Sequence, residues 1–104
     1  MPLPVFLDCT LRDGGYYNAW NFDHRLIQNY IFAVNDAGVD IVELGFRTLN
    51  KKGFKGACAY TTDSFIKTLE VPENLSLCVM INASEIIYEG RFSEQKLKQL
   101  FPSD

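Results

Sequence analysis

The sequence predicts an α/β fold in which parallel strands alternate with helices. Three mostly apolar runs begin near residues 5, 40 and 75, segments with helical spacing lie between them, and no hairpin signal joins neighbouring strands. The repeating unit is therefore about 35 residues long. The doubly wound open sheet and the (β/α)8 barrel are both built from such units. A barrel has about 250 residues, and this chain of 104 residues holds three of its units.

The first two strands are predicted on either side of a long helix. Residues 5–7 form the first apolar run, which ends in a polar cluster at residues 8–10. Asn21 or Asp23 caps the following helix, and Gly38 ends it. The apolar side chains of this helix recur every three to four residues, at Leu26, Ile27, Tyr30, Ile31 and Val34. Residues 39–46 then form a strand that is covered on both faces.

The second half of the chain begins with a predicted loop. Residues 47–60 contain two glycines and four basic residues without useful periodicity. A short helix follows, capped within residues 61–63 and continuing to Leu69. Residues 75–81 form the third strand, which ends at Asn82. Ser93 caps a last helix, which presents Leu97, Leu100 and Phe101 and is terminated by Pro102.

Composition and charge exclude several classes of protein. With 47% hydrophobic and 22% charged residues, the chain is typical of one globular domain, 1–104. A net charge of -3 argues against nucleic acid and anionic membranes as partners. No segment has the roughly 20 apolar residues of a membrane span, and the N-terminus does not resemble a signal peptide. Three cysteines without a CxxC pair argue against a disulfide scaffold and a structural zinc site, and favour a reducing cytoplasm.

The polar residues after the first strand are the strongest candidates for chemistry. Arg12 and Asp13 precede the pair Gly14 and Gly15, and functional groups in both architectures gather at the carboxyl ends of the strands. A carboxylate there suits a hard divalent cation, and an arginine suits a substrate carboxylate or an enolate oxygen. The alternative, from these residues alone, is an Arg-Asp salt bridge that closes the turn.

The segment LDCTLRDGGYYN, followed about 30 residues later by VELGFR, resembles the HMG-CoA lyase-like (DRE-TIM) metallolyase superfamily. This superfamily includes HMG-CoA lyase, isopropylmalate synthase and 4-hydroxy-2-oxovalerate aldolase, and the chain is most similar to the last of these. The resemblance covers essentially the whole chain. It implies the first three βα units of a TIM (β/α)8 barrel, with parallel strands and an incomplete barrel.

The resemblance also implies an activity and the residues that carry it. The activity is metal-dependent carbon-carbon cleavage or condensation of a 2-oxo acid or related acid, through a metal-stabilised enolate. Arg12 would stabilise the enolate, and Asp13 would bind the divalent metal, which is Mn, Mg, Co or Zn. Glu43 corresponds to the characteristic glutamate of the second strand. Because a bare carboxylate is costly in an apolar strand, we expect Glu43 to pair with Arg12, either as a catalytic residue or as a support for it.

The chain departs from the family pattern at two positions. Tyr16 stands where the hydroxy-oxovalerate aldolases have a histidine base, four residues after the arginine, so Tyr16 is the candidate catalytic group there. The family completes its metal site with a His-x-His pair from a late strand. The one histidine of this chain, His24, is expected to be a solvated residue in the first turn of a helix.

Asn82 and Arg47 are the predicted substrate-binding residues. Asn82 ends the third strand, where it either binds substrate or caps the next segment. Arg47 either steers an acidic substrate, together with the lysines of its loop, or belongs to a solvated surface. The expected partners are therefore a small-molecule acid and, for an unfinished barrel, further copies of the chain.

Two other functions are compatible with the pattern. The chain could be a non-catalytic partial barrel, derived from an aldolase, that acts as an oligomeric or interaction module. The open edges of three parallel strands favour this alternative. A small open α/β binding domain is the weaker alternative, because the first turn lacks the G-x-G-x-x-G pattern.

Overall fold

The structure, a computed structural model, describes residues 3–102. The first half contains β1 (Leu7–Asp8), α1 (Thr10–Gly14), a 3-10 turn (Gly15–Tyr17), α2 (His24–Asp36) and β2 (Ile41–Phe46). The second half contains α3 (Ala57–Tyr60), α4 (Asp63–Ile66), β3 (Ser76–Met80), α5 (Ala83–Ile86), β4 (Ile87–Tyr88), β5 (Arg91–Phe92) and α6 (Glu94–Leu100). Both ends of the predicted domain 1–104 lie outside the described residues, so its limits stay a prediction.

The three predicted strands form one open parallel sheet in the order β1-β2-β3, although β1 at Leu7–Asp8 lies later than the predicted residues 5–7. Leu7 pairs with Ile41, which in turn pairs with Ser76. The register between β2 and β3 shifts after Glu43, and this irregularity brings Gly45 opposite Val79. Gly45 also allows α3 to lie close against the sheet, because a Cβ there would be 1.9 Å from the carbonyl oxygen of Cys58. The predicted alternation of parallel strands and helices is thus confirmed.

The main core lies between β2 and α2. Val42 and Leu44 of β2 are fully buried together with Ile27 and Ile31 of α2. Because successive side chains of a strand point to opposite faces, Glu43 lies on the other face of the sheet. The predicted apolar face of α2 is wrong at Leu26, which is 49% exposed, and the buried positions begin at Ile27.

The long helix has the predicted signals at both ends. Asp23, rather than Asn21, is the N-cap, and its Oδ1 accepts a hydrogen bond of 2.8 Å from the backbone N–H of Arg25. Gly38 follows the C-cap residue Ala37 with a φ of 87°, a left-handed conformation that favours glycine. Of the two cap residues that the sequence left open, Asp23 is therefore the one that caps the helix.

An antiparallel hairpin of β4 and β5 contradicts the expectation that the chain has no hairpin. Its two-residue loop is Glu89-Gly90, and both residues have a positive φ, of 50° and 74°. Such turns usually have asparagine, aspartate or glycine at the first of these positions. Glutamate is an atypical choice there, and the two-residue strands are too short for an alternating pattern, so the sequence signal was weak.

Short helices account for most of the remaining differences. Residues 10–17 form α1 and the 3-10 turn, where the sequence predicted no element, and residues 57–60 form α3, where it predicted a loop. The helix predicted to end at Leu69 ends at Ile66, and α5 was not predicted. Helices of four or five residues are too short to repeat an apolar period. The last helix agrees with its predicted cap, because Ser93 Oγ accepts a hydrogen bond from the backbone N–H of Lys96 at 3.3 Å.

The three cysteines are not joined to one another by disulfide bonds. Cys9, Cys58 and Cys78 are all free, and Cys58 is fully buried. Cys9 and Cys78 are half-buried. Burial raises the pKa of the Cys58 thiol to about 11.

Among residues 3–102, no helix combines the length and the apolar character that crossing a membrane requires.

Candidate active site

Arg12 and Asp13 lie at the carboxyl end of β1, because α1 begins two residues after that strand ends. The indole of Trp20 fixes this turn, since its Nε1 donates a hydrogen bond of 2.8 Å to the carbonyl oxygen of Arg12. Gly15 leaves the necessary space, because a Cβ at that position would be 1.8 Å from the Trp20 ring. The second glycine of the DGG segment thus allows the Trp20 ring to lie close to the backbone of this turn.

Arg12 and Glu43 form the ion pair that the sequence suggested. Arg12 Nε donates a hydrogen bond to Glu43 Oε1, and the two side chains are only 18% and 13% exposed. This hydrogen bond raises the pKa of Arg12 above its ordinary value, although desolvation acts in the opposite direction. Within residues 3–102, no hydrogen bond uses the two terminal nitrogens of this guanidinium. The arginine is therefore anchored at one nitrogen and has two others for a ligand.

Asp13 is the most accessible of the acidic residues near this turn. Its side chain is 75% exposed, and its Oδ1 lies 3.6 Å from Arg12 Nη1. Within the described part of the chain, no three His, Cys, Asp or Glu side chains are grouped as ligands for a metal ion. Asp13 therefore fits one ligand position of a metal site, and residues 3–102 do not form the whole of such a site.

Asp8 is a carboxylate of the same strand end that serves the fold. One of its oxygens accepts hydrogen bonds from Tyr30 Oη of α2 and from the backbone N–H of Thr10, the latter at 3.0 Å. Burial acts to raise the pKa of Asp8, but the hydrogen bonds from Tyr30 and Thr10 outweigh it and leave the pKa below its ordinary value. Asp8 thus ties β1 to α2.

A cavity of about 200 Å³ opens beside this turn. It lies at the carboxyl ends of the strands, since Phe46 ends β2 and Asn82 follows β3. One wall is aromatic, made of Tyr16, Trp20 and Phe46 packed edge to face, with ring centroids 4.8 to 5.9 Å apart. The other lining residues are Thr48, Asn50, Lys55, Ala59, Asn82, Ser84 and Glu85. The cavity therefore joins an apolar wall to a polar one.

The structure brings Tyr16 and Asn82 to this same cavity. Tyr16 is an exposed member of the aromatic wall. Asn82 is the N-cap residue of α5, but its side chain makes no capping hydrogen bond, so the side-chain cap considered from the sequence is absent. Their predicted catalytic and substrate-binding roles stay predictions.

Arg47 lies in a different environment from the one expected for a steering residue. It is 7% exposed, and its Nε and Nη1 donate to the carbonyl oxygens of Thr61 at 2.8 Å and Leu100 at 3.0 Å. Its Nη2 donates to Asp63 at 2.6 Å, and its guanidinium lies 4.9 Å from the centre of the Phe101 ring. The alternative of a solvated surface residue is therefore wrong, and these contacts give Arg47 a structural task. Its predicted role in substrate binding stays a prediction that these contacts do not support.

Glu85 is a cavity residue that the sequence reasoning missed. Its Oε1 accepts hydrogen bonds from Thr48 Oγ1 at 2.8 Å and from the backbone N–H of Leu49 at 2.7 Å. Its Oε2 is buried and has no hydrogen-bond partner among the described residues. The available signal was its position three residues after Asn82, in a segment where α5 was not predicted.

His24 behaves as expected for a residue outside the site. It is exposed in the first turn of α2, and its Nε2 lies 3.1 Å from Thr68 Oγ1. Its ring packs edge to face against Phe65, with centroids 6.2 Å apart. His24 is not among the residues that line the cavity.

Comparison with known proteins gives one informative match. The chain is similar to a crystal structure from Bacteroides vulgatus described as the N-terminal domain of a putative aldolase, with 37% sequence identity and a TM-score of 0.62. The match covers 75% of this chain and 25% of that one, so this chain spans about a quarter of its solved relative. No protein-family model matches the chain, and no curated protein does. The match confirms the predicted fold, an incomplete barrel of parallel βα units like the N-terminal domain of an aldolase-like protein.

Proposed function

We propose that this chain is the N-terminal part of a metal-dependent aldolase or lyase of the HMG-CoA lyase-like kind. Its reaction would form or break a carbon-carbon bond of a 2-oxo acid or a related acid through an enolate. The observation that carries the proposal is the arginine held by Glu43 beside Asp13 at the carboxyl end of the parallel sheet. The similarity to the N-terminal domain of a putative aldolase supports the aldolase-like part of this proposal.

Arg12 is the group proposed to bind the enolate. Glu43 occupies its Nε and fixes the plane of the guanidinium, so the two terminal nitrogens are oriented before the substrate arrives. A preorganised cation stabilises the negative charge that develops on the carbonyl oxygen during reaction without having to reorient. In this proposal Glu43 acts through Arg12, and it is a positioning residue.

Asp13 is the residue proposed to hold a divalent metal, of which Mn, Mg, Co and Zn are the candidates. When bound, such an ion supplies Lewis-acid polarisation of the substrate carbonyl. Residues 3–102 provide one fitting carboxylate, so the other ligands would come from outside these residues. The exposed position of Asp13 next to Arg12 suits a ligand that is shared between a metal site and an oxyanion site.

Tyr16 and Asn82 are the groups proposed to act on the substrate beside Arg12 and Asp13. Tyr16 and Asn82 line the adjoining cavity, where a phenol can exchange a proton and an amide can bind a substrate oxygen. The proposed partner is a small-molecule acid, and the three free cysteines suit a cytoplasmic location.

The test is an aldol cleavage assay on the protein that contains this chain. With a 4-hydroxy-2-oxo acid as substrate, release of the 2-oxo acid should require a divalent metal, and it should stop after chelation and return when the metal is restored. Arg12→Ala and Asp13→Asn should each abolish the release. Arg25→Ala and Asp36→Asn are matched controls, because both residues are exposed on α2, and they should retain it. Full activity after thorough chelation would contradict the metal role.

A second candidate function is a non-catalytic module that assembles through its open sheet. β1 and β3 are the outer strands of the three-stranded sheet, and the exposed apolar residues Val5, Phe6 and Leu7 lie along β1 and its approach. Such an edge is a template for pairing with another chain. Light scattering coupled to gel filtration distinguishes the two functions. A stable oligomer that lacks metal-dependent cleavage supports the module, whereas cleavage activity contradicts it.

A further inference from the structure

The turn that carries Trp20 has an unfavourable backbone conformation. Ala19 and Trp20 both have a φ of 57°, in the left-handed region that residues with a side chain rarely occupy. Residues in such conformations persist only where the surrounding structure holds them, and they are often found at functional sites. Contacts with other segments must therefore stabilise this turn.

Gly56, at the end of the loop that follows β2, holds the turn from one side. Its backbone N–H donates a hydrogen bond of 2.8 Å to the carbonyl oxygen of Ala19. The two segments lie close together, because a Cβ on Gly56 would be 2.2 Å from Asn21 Cα and 2.3 Å from the carbonyl oxygen of Trp20. Only glycine fits at position 56 without displacing the turn. The conformation of the Trp20 turn thus depends on the loop after β2.

The other side of the turn contacts the segment that carries Arg12. The backbone N–H of Trp20 donates 2.9 Å to the carbonyl oxygen of Gly15, and its indole Nε1 donates 2.8 Å to that of Arg12. Arg12 lies in the last turn of α1, where carbonyl oxygens need partners outside the helix. The indole ring packs against Tyr16 and Phe46, with centroids 4.8 and 5.2 Å away. The indole is thus a fixed donor for the main chain of Arg12.

Arg12 is consequently anchored at two points. Glu43 accepts a hydrogen bond from its Nε and holds the guanidinium, whereas Trp20 holds its carbonyl oxygen. An enolate oxygen needs donors at a defined position, and a displacement of about 1 Å can lower turnover by about 10²-fold. The loss of either anchor should therefore lower turnover although Arg12 itself is unchanged.

We infer that Trp20 is a positioning residue for Arg12, and that Gly56 maintains the strained turn that places its indole. The loop after β2 in this way sets the position of an arginine that follows β1. The effect on the reaction rests on the proposed function of Arg12. The coupling between Gly56 and the Arg12 segment rests on the contacts alone.

An isosteric replacement of the indole tests its hydrogen bond to Arg12. Benzothienylalanine, incorporated at position 20 of the protein that contains this chain, keeps the shape of tryptophan but has sulfur in place of the N–H. In cleavage of a 4-hydroxy-2-oxo acid, kcat per folded molecule should fall about ten- to hundredfold, and KM should change less than about threefold. Tryptophan incorporated at the same codon by the same route is the control. An unchanged kcat, or a change confined to KM, would overturn the positioning role.

Gly56→Ala tests whether the loop acts on Arg12. Because the added Cβ displaces the Trp20 turn, kcat should fall at least about fivefold although residue 56 lies in a different βα unit. Gly53→Asn is the matched control in the same loop. A Cβ there has no neighbour within 4 Å, and asparagine tolerates its φ of 72°, so this variant should keep its turnover. Equal kcat values for the two variants would contradict the role of Gly56.

A double variant tests whether both residues act by the same route. Trp20→Phe removes the indole donor and should lower kcat as benzothienylalanine does. If Gly56 acts through Trp20, the addition of Gly56→Ala to Trp20→Phe should lower kcat by less than about a further twofold. Losses that multiply in the double variant would show that the two residues act independently, and the coupling would be wrong.

Hydrogen exchange measures the coupling without turnover. The backbone N–H groups of Asp13 and Gly15 donate to the carbonyl oxygens of Cys9 and Leu11 on either side of Arg12. Both should exchange at least about fivefold faster in Gly56→Ala than in Gly53→Asn. Faster exchange in a protein that does not cleave 4-hydroxy-2-oxo acids contradicts the proposed function and leaves the coupling in place. Cleavage activity with unchanged exchange and unchanged kcat in Gly56→Ala does the reverse.

Discussion

Arg12 and Arg47 belong to successive βα units, but their environments differ. Each follows the carboxyl end of a strand, and each pairs with a carboxylate. Arg47 is almost completely buried, and all three of its nitrogens donate hydrogen bonds inside the protein. Arg12 uses only Nε for such a bond within the described residues. An arginine that follows a strand end is thus a structural link in one unit and has free donors for a ligand in the other.

The comparison shows which property identifies a functional arginine. Charge and position at a strand end are common to both residues. The number of guanidinium nitrogens already satisfied by the fold separates them, because only unsatisfied donors can bind a substrate oxygen. Arg47 connects the end of β2 to the start of α4 and the end of α6. Substituting Arg47 should therefore destabilise the folded protein.

Arg47→Ala should give the largest effect, a decrease of about 3 to 5 kcal/mol in the free energy of unfolding. The substitution leaves the Asp63 carboxylate without this cation and two carbonyl oxygens without their donor. Denaturant unfolding monitored by circular dichroism measures the change. Arg25→Ala, an exposed arginine, is the control and should alter stability by less than about 0.5 kcal/mol. Similar stabilities of the two variants would remove the structural distinction between the arginines.

Arg12→Lys should have the opposite profile. It keeps the charge, but one ammonium cannot both pair with Glu43 and present two further donors to an enolate. We expect turnover to fall by about 10² to 10³, as for the loss of an oxyanion donor. Stability should change much less than for Arg47→Ala, because the lysine keeps a cation beside Glu43. Steady-state kinetics that separate kcat from KM provide the measurement, with Arg25→Lys as the control. A turnover equal to that of the parent would place Arg12 with Arg47 among the structural arginines.

The fold was predictable where the sequence has an apolar run or a sustained helical period. The three strands and α2 follow from apolar runs and helical spacing, and the cap at Asp23 and the end at Gly38 follow from local chemistry. The hairpin and the four-residue helices were not predictable in this way. They have too few residues to show a period, and their stability depends on contacts with distant parts of the chain.

In the candidate site, too, local features were predictable and features that depend on distant residues were not. The Arg12–Glu43 pair was predictable, because a carboxylate in an apolar strand needs a partner. The burial of Arg47 was not, since it depends on Leu100, which is 53 residues away. The position of Glu85 was missed for the same reason, as its donors at Thr48 and Leu49 are 37 and 36 residues away. Charged side chains in loops read as solvated until their distant partners are known.

The two glycines after Asp13 give a smaller and sharper comparison at the same turn. A Cβ on Gly15 would lie 1.8 Å from the Trp20 ring, whereas a Cβ on Gly14 has no neighbour within 4 Å. Gly15→Ala should therefore cost about 1 to 3 kcal/mol of stability and shift the Trp20 emission as the ring moves. Gly14→Ala should be neutral or slightly stabilising, because both residues have helical dihedral angles. A stable Gly15→Ala protein with unchanged emission would contradict the role of Trp20 in fixing the Arg12 turn.

The smallest effect concerns Asp8, the structural carboxylate beside the proposed site. Tyr30→Phe removes its phenolic donor and should cost about 1 kcal/mol at neutral pH, whereas Tyr17→Phe, at a tyrosine that is 94% exposed, should cost nothing measurable. Because the hydrogen bonds lower the pKa of Asp8 from its usual 3.8, their stabilisation is present above about pH 4 and is lost as the pH falls through the lower, folded value. Unfolding free energies measured from neutral to acidic pH should thus converge for the parent and Tyr30→Phe. A difference that grows on acidification would mean that Tyr30 binds the neutral carboxyl better than the carboxylate.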